Sequence, residues 1–76
     1  MAEPDRSAAA LLSSLTLVVP AYNESSRIEG SLRRLFAWRA AHAPNAEVVV
    51  VDDGSRDDTV QIALRAGQGE ANFIVE

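Results

Sequence analysis

The sequence predicts an α/β fold: one parallel sheet built in the order strand, helix, strand, helix, strand. Three observations carry that reading. Val48 to Val51 is a run of four valines, and β-branched residues with no polar alternation suit a parallel strand buried on both faces. Ile28, Leu32, Leu35 and Phe36 recur at i, i+4, i+7 and i+8, the spacing of one helix face. Two further short apolar runs, Leu15 to Val19 and Asn72 to Val75, lie on either side of these at the distances that helical crossovers need.

The first strand is expected over Leu15 to Val19, ended by Pro20, which cannot donate to a central ladder. Ala21 to Glu24 then form a loop. Ser26 and Glu29 have the S-x-x-E spacing of a capping box, so the first helix should start near Arg27. Arg27, Arg33 and Arg34 fall off its apolar stripe. Gly30 within it costs about 1 kcal/mol relative to alanine. Trp38 belongs at a partly buried edge of this helix, and His42, the sole histidine, in a polar surface connection. The second strand is expected over Ala46 to Val51. Asp52, Asp53 and Gly54 make a tight turn, and Ser55 can cap the next helix. That second helix runs from about Asp57 to Ala66 with Val60, Ala63 and Leu64 on one face and Gly67 as its C-terminal cap. Asp57 and Asp58 favour its N-terminus through the helix dipole. A turn over Gln68 to Ala71 leads to the third strand.

Right-handed crossovers make such a sheet parallel, with strand order 3-2-1 and helices packed on its faces, the first half of a doubly wound domain. The loops Pro20 to Glu24 and Asp52 to Ser55 then open at the same carboxyl edge, where open α/β sheets bind ligands.

Composition bounds the function. The chain has 76 residues, 47% of them hydrophobic, enough for one small domain that buries about 60% of its unfolded surface. A net charge of −4 argues against a nucleic-acid partner, which needs a basic patch. The chain has no cysteine, which excludes disulfides and thiolate metal sites and fits a reducing, cytoplasmic setting. No apolar run approaches the roughly 18 residues of a membrane span. Residues 1–13 read as a frayed leader: Glu3 and Asp5 spoil a basic n-region, and Ser13 and Ser14 interrupt the apolar core a signal peptide needs.

Several ligand chemistries are poor fits. The first loop, PAYNESS, lacks the glycines that bring a backbone against a pyrophosphate, so neither a dinucleotide fingerprint nor a P-loop is present. DDGS lacks the alternating ligands of an EF-hand. A receiver-like module, which binds a divalent ion with an acid pair at a strand end, is the alternative from another class. Here, however, the acid pair follows the second strand rather than the first.

Taken together, VVPAYNE (Val18 to Glu24) and VVVVDDGSRDDT (Val48 to Thr59) resemble the amino-terminal part of inverting family 2 glycosyltransferases of GT-A type, most closely the polyprenyl- or dolichyl-phosphate hexosyltransferases. The resemblance covers Leu15 to Val75. It implies a Rossmann-like nucleotide-binding half-domain over residues 14–76 and a nucleotide-sugar donor, UDP- or GDP-linked, held by Pro20, Ala21, Tyr22, Glu24, Val51 and Asp53. It further implies transfer of a hexose to a lipid phosphate such as a polyprenyl phosphate, or to another acceptor, at a membrane surface in a longer form. The physics is compatible. Tyr22 offers an aromatic face, Glu24 can accept from sugar hydroxyls, and Asp53 can accept a ring N–H of a base. Asp52 is expected to support the loop. The local readings are that Pro20 ends a strand, that Tyr22 packs on the first helix, and that Asn23 or Glu24 caps it.

The family's D-x-D motif, which holds a divalent metal (Mg²⁺ or Mn²⁺) on the donor diphosphate, is not in this sequence, and neither are the catalytic base and the acceptor residues. The resemblance therefore implies a truncated piece that recognises nucleotide without transferring sugar, with no catalytic or metal-ligating residue assigned.

Overall fold

The computed structural model describes residues 14–76, and the expectations for residues 1–13 lie outside them. Strand β1 spans Thr16–Ala21, helix α1 Ile28–His42, strand β2 Glu47–Asp52, helix α2 Thr59–Ala66 and strand β3 Phe73–Val75. All pairing is parallel, and the sheet order β1-β2-β3 is the expected 3-2-1 seen from the other edge.

Because both crossovers step the same way across the sheet, right-handed connections put both helices on one face. The core records this. Leu17, Val19 and Ala21 of β1, Val48 and Val50 of β2, and Phe73 and Val75 of β3 pack against Ile28, Leu32, Phe36 and Ala63. The alternate residues face away: Val18 is 60% exposed, Val51 39% and Ile74 42%. The four-valine run is thus buried on one face only. The expected coverage of both faces fails because two same-handed crossovers supply helices to a single side.

Pro20 does not end β1 but lies inside it, opposite Val51. The carbonyls of Leu15 and Ala21 accept from Glu47 and Asp53, so odd-numbered residues of β1 turn their backbone groups to β2. Even-numbered residues, Pro20 among them, turn theirs to the open edge, where a missing N–H breaks no ladder bond.

Helix α1 begins after Arg27 with no side-chain cap, so the expected capping box does not form. Glu29 pairs instead with Arg33, one turn on, at 2.6 Å. Glu24 caps through its backbone, its carbonyl accepting from the N–H groups of Arg27 and Ile28. Trp38 is 40% exposed and stacks on His42, ring centroids 5.1 Å apart.

Helix α2 starts at Thr59, two residues later than expected. It buries Thr59 and Ala63, with Ile62 and Ala66 half-buried, while Leu64 is left 54% exposed. The anticipated Val60–Ala63–Leu64 face is therefore rotated, because the fully buried residue of the first turn is a hydroxyl. Gly67 does end the helix, with its N–H on the Ala63 carbonyl. A Cβ on Gly67 would stand 2.1 Å from the Phe73 ring, so the close approach of α2 to β3 requires glycine there. Phe73 in turn meets Phe36 edge-on at 5.3 Å.

Beneath this cluster lies Arg39, 5% exposed. Its guanidinium donates to the carbonyls of Ala46 (2.9 Å) and Asn72 (3.3 Å), pairs with Glu70 at 2.8 Å, and sits 5.3 Å from the Phe36 ring centroid. It ties α1 to the entries of β2 and β3 at the amino edge of the sheet, opposite the loops that leave β1 and β2. Among the described residues no buried side-chain polar atom lacks a partner.

Candidate functional site

The two loops at the carboxyl edge are residues 22–27, after β1, and 53–58, after β2. Ladder bonding continues one step past the strands, with the Asp53 N–H donating to the Ala21 carbonyl at 2.9 Å, so the loops start side by side. Three successive backbone N–H groups of the first loop are then each taken by a side chain of the second loop or of the helix it enters. The Asn23 N–H donates to Ser55 Oγ at 2.8 Å, the Glu24 N–H to Thr59 Oγ1 at 2.8 Å, and the Ser25 N–H to Asp57 Oδ2 at 3.2 Å. A return bond runs from the Arg56 N–H to Asn23 Oδ1 at 2.9 Å.

The backbone bends to allow this. Asn23 has φ 51° and Gly54 φ 74°, left-handed values that asparagine tolerates and glycine adopts without strain. Asn23 does not cap α1, since its side chain is committed to the other loop. Ser55 does not cap α2. Its N–H and hydroxyl both donate to the Asp52 carboxylate, the former at 2.9 Å.

These bonds set the electrostatics. The Ser55 hydroxyl, followed by its N–H, holds the Asp52 carboxyl below the usual carboxylate range. The Thr59 hydroxyl, aided by the Thr59 N–H and by Ser25, pulls Asp57 down to about 2, because each donor favours the charged form. Each oxygen of both carboxylates thus accepts at least one hydrogen bond, and these donors favour the charged form. Asp57 does more than complement a helix dipole, since it bridges the two loops.

The sequence-predicted site residues separate by environment. Asp53 is exposed, and its carboxylate has no hydrogen bond or ion pair among the described residues. Tyr22 is 53% exposed and does not pack into the core under α1. Pro20 and Val51 are register partners on the uncovered sheet face. The side chain of Ala21 is buried in the core and its carbonyl is occupied by Asp53. Glu24 is half-buried, with its carboxylate 2.7 Å from Arg27. A cleft of about 320 Å³ opens beside the free edge of β1, lined by Val19, Pro20, Glu24, Arg27, Ile28 and Ser31.

The arrangement therefore presents an uncommitted carboxylate at Asp53, with a second at Asp58 where α2 begins, one exposed aromatic ring at Tyr22 and a cleft at the carboxyl edge of a parallel sheet. Among the described residues no group of three or more acids or histidines could hold a metal ion. Sequence reasoning did not identify the Ser25, Ser55 and Thr59 contacts. Their partners lie 32 to 35 residues away, and no local spacing signals such a pairing.

The family model for Glycosyl transferase family 2 matches residues 16–76, which takes in both loops and every strand. Over 55 residues, 66% of this chain, the sequence is 46% identical to a dolichyl-phosphate beta-glucosyltransferase of Drosophila melanogaster, of which the match covers 17%. It is 33% identical over 61 residues, 80% of this chain, to an undecaprenyl-phosphate 4-deoxy-4-formamido-L-arabinose transferase of Klebsiella pneumoniae, covering 19% of that protein. A dolichyl-phosphate beta-glucosyltransferase of Trichomonas vaginalis is 48% identical over 52 residues, 62% of this chain and 15% of its own length. The chain thus spans under a fifth of the length of these curated relatives. No solved structure matches it significantly. The parallel βαβαβ sheet, the paired loops at its carboxyl edge and the family match over four-fifths of the sequence agree, and the chain belongs to glycosyl transferase family 2.

Proposed function

We propose that the paired loops bind the nucleotide of a UDP- or GDP-linked sugar donor, and that the whole protein transfers the sugar, a hexose, with inversion to a polyprenyl-phosphate acceptor at a membrane surface. The observation that carries this reading is the contrast between the two neighbouring acids. Asp52 is locked by Ser55, whereas Asp53 is exposed and uncommitted among the described residues. A free carboxylate can accept the ring N–H of uracil or guanine. Tyr22 supplies a face for the base or ribose. Pro20, Val51 and Glu24 border the same edge, and Ala21 contributes by holding the Asp53 backbone.

The acceptor class rests on the relatives, whose names specify dolichyl and undecaprenyl phosphates. No described helix is long and apolar enough to cross a membrane. The described residues do not fit the divalent metal expected for the family: among them no group of three or more acids or histidines could hold an ion. No step is therefore assigned to a metal, and the 76-residue chain by itself is expected to recognise nucleotide without transferring sugar. A receiver-like ion site would need Asp52 and Asp53 to act as a pair, and the commitment of Asp52 to Ser55 counts against it.

Titration calorimetry of the chain with UDP and with GDP tests the reading. Asp53→Ala should weaken binding of the preferred nucleotide by about 1–3 kcal/mol, roughly fivefold to 150-fold. Affinity unchanged from wild type for both nucleotides in a folded Asp53→Ala variant would remove Asp53 from the site.

A further inference from the structure

Thr59 is fully buried at the first turn of α2, an unusual place for a hydroxyl unless it is bonded. It is bonded twice. Its Oγ1 accepts the Glu24 N–H at 2.8 Å and donates to Asp57 Oδ1. Asp57 is itself held from both sides, accepting from the Thr59 N–H at 3.0 Å and, across the gap, from the Ser25 N–H at 3.2 Å. The hydroxyl thus joins the start of a packed helix to the middle of the Tyr22–Ser25 segment.

We propose that Thr59 is a positioning residue of the nucleotide site: its buried hydroxyl, oriented by Asp57, fixes the Glu24 amide and so holds Tyr22 and Glu24 in register with Asp53. This rests on the nucleotide-binding reading of the loops and deepens it.

The geometry supports a role beyond packing. Tyr22 is exposed and has no core contact to hold it in place. Its position is set by the backbone on either side. On one side Ala21 is fixed by its sheet partner and by Asp53. On the other, Asn23, Glu24 and Ser25 are fixed by Ser55, Thr59 and Asp57. Of those three anchors only Thr59 is fully buried in the core, so it is the one rigidly referenced to the rest of the fold. Small displacements of a positioned group cost binding steeply, and preorganisation is what the anchor supplies. The same bonds consume three consecutive amides of the first loop, so those N–H groups do not cradle a phosphate. The first loop then serves the base and ribose end of the ligand.

The test uses two substitutions that separate the hydroxyl from the volume. Thr59→Val keeps the shape and removes both bonds. Thr59→Ser keeps the hydroxyl and removes a buried methyl group. Each is measured for its urea midpoint, for UDP and GDP affinity by calorimetry, and for hydrogen exchange of the Glu24 amide. Thr59→Val should weaken binding by about tenfold, the equivalent of one lost hydrogen bond, and speed Glu24 exchange while the Val48 and Val50 amides stay protected. Thr59→Ser should lower the urea midpoint yet leave affinity within about twofold. A residue that only stabilises the fold would make affinity follow the midpoint in both variants, and that result would overturn the proposal. So would a Thr59→Val chain with wild-type affinity and wild-type Glu24 exchange. If Thr59→Val does not fold, Asp57→Ala, which removes the half-buried acid that orients the hydroxyl, carries the same expectation. A wild-type chain that binds neither nucleotide would overturn the nucleotide reading and this proposal together. Binding that is lost in Asp53→Ala but unchanged in Thr59→Val and Asp57→Ala would overturn this proposal alone.

Discussion

Replacing Arg39 by methionine should be among the most damaging single changes in the fold. The substitution keeps an apolar stem of similar length beside Phe36 but removes the guanidinium. The carbonyls of Ala46 and Asn72 then lose charged donors at 2.9 and 3.3 Å, and Ala46 is fully buried, so water does not readily replace the donor. A hydrogen bond from a charged group contributes about 1.5–3 kcal/mol. The bond to Ala46 should deliver most of that, and the longer one to Asn72 less. The Glu70 carboxylate is 40% exposed, so its pairing adds under about 1 kcal/mol. Removing a buried cation returns part of its desolvation cost. The net loss is about 2–3 kcal/mol, against a total of about 3–9 kcal/mol for a domain of this size. With a urea m-value of about 1 kcal/mol/M, the midpoint should fall by about 2–3 M. Trp38, the sole tryptophan and the residue before Arg39, reports the transition by fluorescence at low micromolar concentration. Glu70→Gln should cost under about 1 kcal/mol. An Arg39→Met chain within about 0.5 kcal/mol of wild type would refute the argument, with surface-like behaviour. A Glu70→Gln loss equal to that of Arg39→Met would show that the ion pair, not the carbonyl bonds, is what matters.

The loops and the sheet each carry a further prediction. Asp52 and Asp57 have folded-state values below the ordinary 3.8, Asp57 at about 2, so the stability they add is present above pH 3.8 and is lost as pH falls toward 2. The urea midpoint of wild type should drop across that window, and that of Asp57→Asn should drop less; identical profiles would mean that Asp57 does not hold the loops. The uncovered face carrying Val18, Val51 and Ile74 and the free edge of β1 should make the isolated chain self-associate and bind ANS. Threonine at Val18 and Ile74 together should reduce both, read by size exclusion and dye fluorescence, and a wild-type monomer that binds no dye would contradict this.

How much was legible in the sequence differs by element. The order of strands and the apolar stripe Ile28–Leu32–Phe36 follow from periodicity and handedness, which are local or topological rules. Burial of the valine run on both faces does not follow, because which side a crossover covers depends on the direction of the next one. Pro20 reads as a terminator until it is known to face the open edge, where its missing N–H has no consequence. The Ser26–Glu29 spacing suggests a cap, but Glu24 already caps α1 through its carbonyl and Glu29 has Arg33 one turn away. Arg39 falls on the helix stripe, eleven residues after Ile28 and seven after Leu32, and that position was the available signal of its burial. The loop acids were legible as a site, and so was the supporting place of Asp52, but not the Ser55 donors that hold Asp52 or the Glu24 amide that the Thr59 hydroxyl meets 35 residues earlier. Neither relation has a sequence period.

A single nucleotide-binding surface formed by the two loops at the carboxyl edge of the sheet has a distinct signature in solution. The most direct test is a titration of the isotope-labelled chain with UDP and with GDP, followed residue by residue through its amide resonances. Shifts should concentrate at Tyr22, Val51, Asp53 and Gly54, saturating with one nucleotide, while Arg39, Glu70 and Asn72 at the opposite edge stay unmoved. Shifts centred on the Arg39 edge, or none at saturating nucleotide in a folded chain, would contradict it.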